Sequence, residues 1–304
     1  MKRTILMASA LALLLPAVVT ARAQAQQIEN PEAARKFNEG KNLFQQGQYD
    51  EALQLLLESA ELEAGNYRAH YMLGLTFSRL RQYDEALAQH EAAVRFNPNY
   101  YLVYYAMGNI YGSVKNDPEK AIENYVQAGE VSENVGQPYW RAFFNLGTTY
   151  FELERWDEAL QAYSKVAQYQ PVNENSYEMM GRIYVEKGDY QNAMMRFQQA
   201  AERKPTWYEP HFYMANVLNR MGNYDQAIDA ADQALELMPG NGGALYEKGM
   251  ALKSKQQWDA AVEVMREAAR DPQWRQMAEH QIELIQNRDA YVDIPPDTTI
   301  PPGF

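Results

Sequence analysis

The sequence contains no cysteine. That excludes disulfides, thiolate metal sites, a cysteine nucleophile and the lipid-modified cysteine of a bacterial lipoprotein. Histidine is scarce, with only His70, His90, His211 and His280. No two of them stand at metal-ligand spacing on one helix. There is no His-Glu-x-x-His, no phosphate-cradling glycine loop and no Gly-x-Ser-x-Gly elbow. Basic residues are outnumbered, 28 Lys and Arg against 40 Asp and Glu, for a formal charge of -12. A field of that sign repels phosphate backbones and anionic lipid heads, so the expectation is no nucleic acid and no polyanionic membrane partner. Catalytic machinery and cofactors have no sequence signal; the expectation is no enzyme, no cofactor and no metal.

Long apolar runs are also missing, with one exception at the N-terminus. Lys2 and Arg3 precede an apolar stretch from Ile5 to Val19, followed by Ala21, Ala23 and Ala25. A basic start, a short apolar core and an Ala-x-Ala end read as a secretory signal peptide, residues 1–25, cleaved after Ala25 with Ala23 as the near alternative. An uncleaved membrane anchor is the competing reading. The stretch is short of the roughly 20 apolar residues a membrane span needs, and Pro16 interrupts it. Cleavage would remove Lys2, Arg3 and Arg22, leaving 25 basic residues against 40 acidic, a balance of -15. The expectation is an exported chain, periplasmic or secreted, with no membrane insertion after cleavage.

What the sequence does have is repetition. A glycine column runs through Gly40, Gly74, Gly108, Gly147, Gly181 and Gly249, with Ala215 in the sixth place. An alanine column runs through Ala52, Ala86, Ala121, Ala159, Ala193, Ala227 and Ala261. An aromatic stands three residues before that alanine at Tyr49, Tyr83, Trp156, Tyr190, Tyr224 and Trp258, and proline closes units at Pro98, Pro171, Pro205 and Pro239. Small residues let neighbouring helices approach closely. Gly47, Gly188 and Gly222 fall where a helix ends in a left-handed residue. Asp50, Asp84, Asp157, Asp225 and Asp259 follow the aromatics, where negative charge suits the start of a helix. Asn30-Pro31 fits an N-cap followed by the first helical residue.

In period and residue type these columns resemble the tetratricopeptide repeat, a unit of about 34 residues folded as helix–turn–helix. The resemblance covers Ala33 to Trp274. It implies an all-α, right-handed superhelical solenoid of about seven repeats plus a C-terminal capping helix. The domain reading is a solenoid over residues 26–287. Its repeats lie near 33–66, 67–100, 101–139, 140–173, 174–207, 208–241 and 242–275, with the capping helix at 273–287. The third unit is irregular: it has an extra residue between Ser113 and Pro118, about four more between Val131 and Pro138, and no turn aromatic. A tolerated loop insertion and a local change of superhelix pitch both fit. Residues 288–304, with Ile294-Pro295-Pro296 and Ile300-Pro301-Pro302, read as an extended Pro-rich flexible tail or a docking peptide.

The resemblance also implies where a partner would sit. In this family the first helices line the concave groove, through the residues three before, one after and four after the repeat glycine. The candidates transferred this way are Phe37, Tyr71, Tyr105, Asn109, Phe144, Arg182, Phe212, Asn216, Asn219 and Tyr246, with Asn145 beside them; Gly112 holds the last of these places in the third unit. Aromatics for apolar side chains and amides for a peptide backbone suit an extended ligand, while burial of the aromatic row as plain core is the competing reading. His70 and His211 share a column that packs and read as structural. The leading expectation is an exported protein–protein interaction scaffold binding a peptide or envelope-protein partner in the groove. The alternatives are a structural subunit of a cell-envelope complex using its convex face or ends and, more remotely, a small-molecule binder or enzyme with a pocket at the irregular third repeat.

Overall fold

The computed structural model describes residues 30–288; the expected signal peptide and most of the Pro-rich tail lie outside them. Among the described residues every regular element is an α-helix: α1 (Pro31–Gln45), α2 (Tyr49–Leu62), α3 (Tyr67–Arg79), α4 (Tyr83–Phe96), α5 (Tyr101–Ser113), α6 (Pro118–Asn134), α7 (Trp140–Glu152), α8 (Trp156–Tyr169), α9 (Glu174–Glu186), α10 (Tyr190–Arg203), α11 (Glu209–Arg220), α12 (Tyr224–Leu237), α13 (Gly242–Ser254), α14 (Trp258–Ala268) and α15 (Arg275–Gln286). They form seven helix pairs and a final helix. The chain divides into two compact units at Asn99/Tyr100. The first holds α1–α4 and the second α5–α15.

The same local chemistry builds each pair. Four of the seven described first helices start at asparagine caps: the Asn30 side chain accepts the Glu32 and Ala33 N–H groups at 2.9 and 3.3 Å, and Asn66, Asn173 and Asn241 repeat the device. Each satisfies donors that the helix start leaves unpaired. Second helices start on the aromatic column, with Asp50, Asp84, Asp157, Asp225 and Asp259 in their first turns. Between the two helices the chain passes through one left-handed residue. It is Gly47, Gly188 or Gly222 in three pairs, and Arg81, Glu154 or Gln256 in three others. The next N–H then reaches back to close the first helix, as Arg155 N–H does to the Tyr150 carbonyl at 2.9 Å. A side chain at φ 57°, as Glu154 has, is strained. Glu154→Gly is therefore expected to raise stability by about 0.5–1 kcal/mol, the relief of that strain less the extra unfolded-chain entropy of glycine. Urea denaturation checks it.

The glycine column is a set of sockets. The residue that fills each socket comes from the second helix of the same pair, four after the alanine column: Leu56, His90, Tyr125, Tyr163, Phe197 and Met265. A Cβ on Gly181 would stand 2.6 Å from the Phe197 ring, and one on Gly249 2.6 Å from Met265 Cγ. In the sixth pair the socket is Ala215, and the residue four after Ala227 is the small Ala231; both are fully buried in one cluster. A larger floor is matched by a smaller knob. Packing within each pair, and of each second helix on the next first helix of the same unit, recurs in both units, and α15 closes the second unit through Ala278 and Ile285 against α13 and α14.

The third pair departs in a specific way. Its additional residues after Val131 do not form a loop. They lengthen α6 to 17 residues. Ser132, fully buried, donates to the Gly129 carbonyl at 2.6 Å and accepts the Tyr139 N–H at 3.0 Å. Glu133 in the added turn receives Lys165 Nζ at 2.7 Å and also bonds the Tyr169 hydroxyl, both on α8. Pro118 takes the place of the turn aromatic as the first residue of α6, behind an Asp117 cap.

Candidate protein-interaction site

In the first unit, Phe37 is only 9% exposed and packs in a core with Leu56, Ala69, Met72 and Leu73. It belongs to that core and leaves little surface to offer a partner. Tyr71 is half-buried on the same cluster and leans on His90, with ring centroids 5.8 Å apart. Four positions beyond Ala86, His90 fills the Gly74 socket with no exposure, and neither ring nitrogen has a partner among the described residues. Burial lowers its pKa to about 4. His70, by contrast, is satisfied by Gln89 and the Ala64 carbonyl, in keeping with a structural role.

In the second unit the first-helix candidates gather into two patches. One centres on Asn109. Its Oδ1 accepts both the Tyr125 hydroxyl and the Asn145 Nδ2, each at 2.9 Å, and Asn145 Nδ2 also reaches the Tyr105 hydroxyl at 3.3 Å. Tyr105 packs edge-on against Tyr139 at 5.1 Å. Phe144 packs edge-on against Trp140 and Tyr163. Burial pushes the Tyr125 phenol up to about 12, so it stays a donor. The second patch holds Arg182, Phe212, Asn216, Asn219 and Tyr246. The Arg182 guanidinium lies over Phe151 at 5.0 Å and Tyr213 at 5.7 Å, with Glu178 3.5 Å away. Burial raises the Glu178 pKa, and the nearby Arg182 offsets part of the rise. Phe212 and Tyr246 both pack on Trp274, at 6.0 and 5.2 Å.

The amides of this second patch are already at work inside the protein. Asn216 Nδ2 donates to Glu247 Oε1 at 2.7 Å; Asn219 Nδ2 donates to Oε2 at 2.7 Å and to the Glu247 carbonyl at 2.9 Å. Glu247 is 5% exposed. Burial raises its pKa, and the two amides hold it partly back. One geometric rule covers both patches: the residue after a repeat glycine meets the residue two before the glycine of the next repeat. The pairs are Asn109 with Asn145, Arg182 with Tyr213, and Asn216 with Glu247. These side chains join successive first helices, so the amides assigned to a peptide backbone also serve between repeats. Glu247, Trp274 and Phe151 complete the second patch. Glu247 and Trp274 fall outside the repeat columns that mark the groove in the sequence.

Three of the clefts in the second unit border these helices. One of about 190 Å³ lies beside Arg182, Phe212, Asn216 and Arg220. Another of about 500 Å³ lies beside Asn109, Asn145 and Glu152. The third, about 590 Å³, is on the second-helix side, floored by Val126, Phe143, Leu146 and Leu160. Among the described residues no cluster of three or more His, Asp or Glu could hold a metal ion, and no helix is long and apolar enough to cross a membrane.

Comparison with known proteins gives the repeats their family. Residues 37–101 and 140–171 match tetratricopeptide-repeat models, and residues 174–286 match a model of the TT21 fifth ARM repeats domain. Within that last stretch the helices come in pairs, and Tyr190, Tyr224 and Trp258 are 34 residues apart, the tetratricopeptide period rather than the longer armadillo one. BBSome complex member BBS4 of Bos taurus is 29% identical over 146 residues, 47% of this chain and 27% of that protein; this chain thus matches about a quarter of that relative's length. Among solved structures, YrrB, a tetratricopeptide-repeat protein with an unusual peptide-binding site, superposes with a TM-score of 0.54 at 19% identity, over 66% of this chain and 97% of its own. PilW, a widely conserved type IV pilus biogenesis factor, gives 0.54 at 14% identity over 71% and 97%. These matches identify residues 37–101 and 140–171 as tetratricopeptide repeats, and the paired helices continue through the other described residues.

Proposed function

We propose that the protein is an exported interaction scaffold that holds a peptide or envelope-protein partner along the first-helix side of its second unit. The observation that carries this reading is the second patch. Arg182 sits between two aromatic rings, Phe212 and Tyr246 are braced by Trp274, and a cleft opens beside them. Aromatics and arginine dominate binding hot spots, and side chains already held by their neighbours lose little freedom on binding. YrrB, similar in fold, has a peptide-binding site, which supports the same use here. The mechanism is passive: a preformed surface orders a flexible partner, and no bond is made or broken.

A second reading has its own observation. The apolar cleft over Phe143 and Leu146 is on the second-helix side, and a structural partner could seat there instead. One experiment separates the two. The chain beginning at Gln26, expected after export and cleavage, is crosslinked in intact cell envelopes alongside an Arg182→Ala, Phe212→Ala variant and a Leu160→Arg variant. Circular dichroism confirms that each is folded. Loss of the captured partner only in the first variant supports the first-helix reading. Loss only in Leu160→Arg overturns it in favour of the second-helix cleft.

A further inference from the structure

The cleft beside Asn109 exists because two aromatics are missing. In the first pair Phe44, four after the repeat glycine, packs edge-on against the turn aromatic Tyr49 at 5.4 Å. In the fourth pair Phe151 packs the same way on Trp156 at 5.2 Å. The third pair has Gly112 and Pro118 in those two places. The space they vacate is the cleft of about 500 Å³, wholly within the second unit.

Its lining is rich in acceptors. The Tyr125 hydroxyl and Asn145 Nδ2 both donate to Asn109 Oδ1, which sets the orientation of both amides and leaves Asn145 Oδ1 without a partner among the described residues. Glu152 brings a carboxylate with no ion pair among the described residues, and no Lys, Arg or His lines the cleft. Lys120 is paired with Asp117 and Arg155 with Glu158 and Glu119, while Lys115 has a partner of its own. Two first helices, α5 and α7, end at the cleft, at Ser113 and Glu152. Helix C-termini carry negative partial charge and favour cations. The one N-terminus there, that of α6, is capped by Asp117, which accepts the Lys120 N–H at 3.1 Å.

We propose that this cleft is a selectivity pocket for a cationic side chain, lysine or arginine, of the bound partner. The inference rests on the first-helix reading above and adds the chemistry that the partner must supply. The test is a titration of the isotope-labelled mature chain followed by amide NMR, in which the side-chain amides of Asn109 and Asn145 are direct reporters. The probes are acetyl-Ala-Ala-Lys-Ala-Ala-amide and its Arg, Gln and Glu counterparts. Lys and Arg peptides are expected to shift both amides saturably, and the Gln and Glu peptides to leave them in place. Gly112→Phe restores the aromatic of the first and fourth pairs. A Cβ there meets Ala121 at 3.4 Å and the Tyr125 hydroxyl at 3.7 Å, ordinary contacts, so the fold is kept while the shifts vanish. Glu152→Gln is expected to weaken the Lys peptide at least about fivefold, the equivalent of losing one ion pair of about 1 kcal/mol. Equal shifts from the Gln or Glu peptides, or an unchanged titration in folded Gly112→Phe, overturn the inference. Shifts confined to α9 and α11 amides overturn the pocket and leave the first-helix reading standing; no first-helix shift with any peptide overturns the pocket, and the crosslinking experiment then decides the reading by itself.

Discussion

Alanine in place of Phe197 is expected to lower the stability of the α9–α10 pair by about 3–5 kcal/mol, the range for emptying a buried aromatic site. Phe197 is fully buried and its ring fills the Gly181 socket. The sharper result concerns Gly181→Ala, whose effect should change sign with its partner. In the natural sequence the new Cβ would stand 2.6 Å from the ring. Overpacking of about 1–3 kcal/mol then outweighs the roughly 1 kcal/mol by which alanine is the better helix former. Beside Phe197→Ala the ring is gone, the methyl fills part of the void, and the same substitution should stabilise by about 1 kcal/mol. The double variant recreates the pair that the sixth repeat already has in Ala215 and Ala231. Hydrogen exchange at α9 and α10 amides is the suitable readout, since a repeat array does not have to unfold in one step. Additivity of the two substitutions within about 0.5 kcal/mol would show that socket and knob are not coupled.

The second large effect is on acid stability. His90 titrates near its ordinary 6.5 when unfolded and near 4 in the folded first unit. Its folded-state pKa is depressed, so above pH 6.5 it is neutral in both states and exerts no pH effect. As the pH falls from 6.5 towards 4 the unfolded chain takes up a proton that the folded chain refuses, and stability declines. The full loss, reached below pH 4, is about 3 kcal/mol at about 1.4 kcal/mol per pH unit. His90→Met puts into the Gly74 socket the residue type that fills the Gly249 socket. It should remove this slope and leave the variant more stable than the natural protein at pH 4.5. Urea midpoints at pH 7 and pH 4.5 measure it. An equal fall in both proteins would place the acid sensitivity elsewhere.

The all-helical fold was legible because its punctuation is chemically uniform. Glycine, alanine, aromatic and proline columns recur as residue types, and each has one local task. The knobs that fill the glycine sockets left no such trace. Leucine, histidine, tyrosine, phenylalanine, alanine and methionine share that column, and only the socket opposite makes them equivalent. The candidate site was legible in outline for the same reason. The aromatics and amides stand where the columns put them, but the use of Asn216 depends on Glu247, a residue on another helix 31 positions away. Phe37 shows the limit from the other side. It occupies the column of Tyr105 and Phe144, yet its neighbours close over it. The additional turn of α6 was visible as surplus length, and its helical form follows from what it touches, Lys165 and Tyr169.

The sockets and the amide pairs differ in reach. Each glycine and its knob belong to one helix pair, so a gene that duplicates or deletes a whole unit carries every socket with its own filling. The contacts of Asn109 with Asn145 and of Asn216 with Glu247 join neighbours that differ from one another. Losing residues 174–207 would leave both contacts intact, whereas losing residues 208–241 would strip the buried Glu247 of both amides. Tolerance of length change in this chain is therefore set by the seams, and the seams that resist it are the ones after the third and the sixth units.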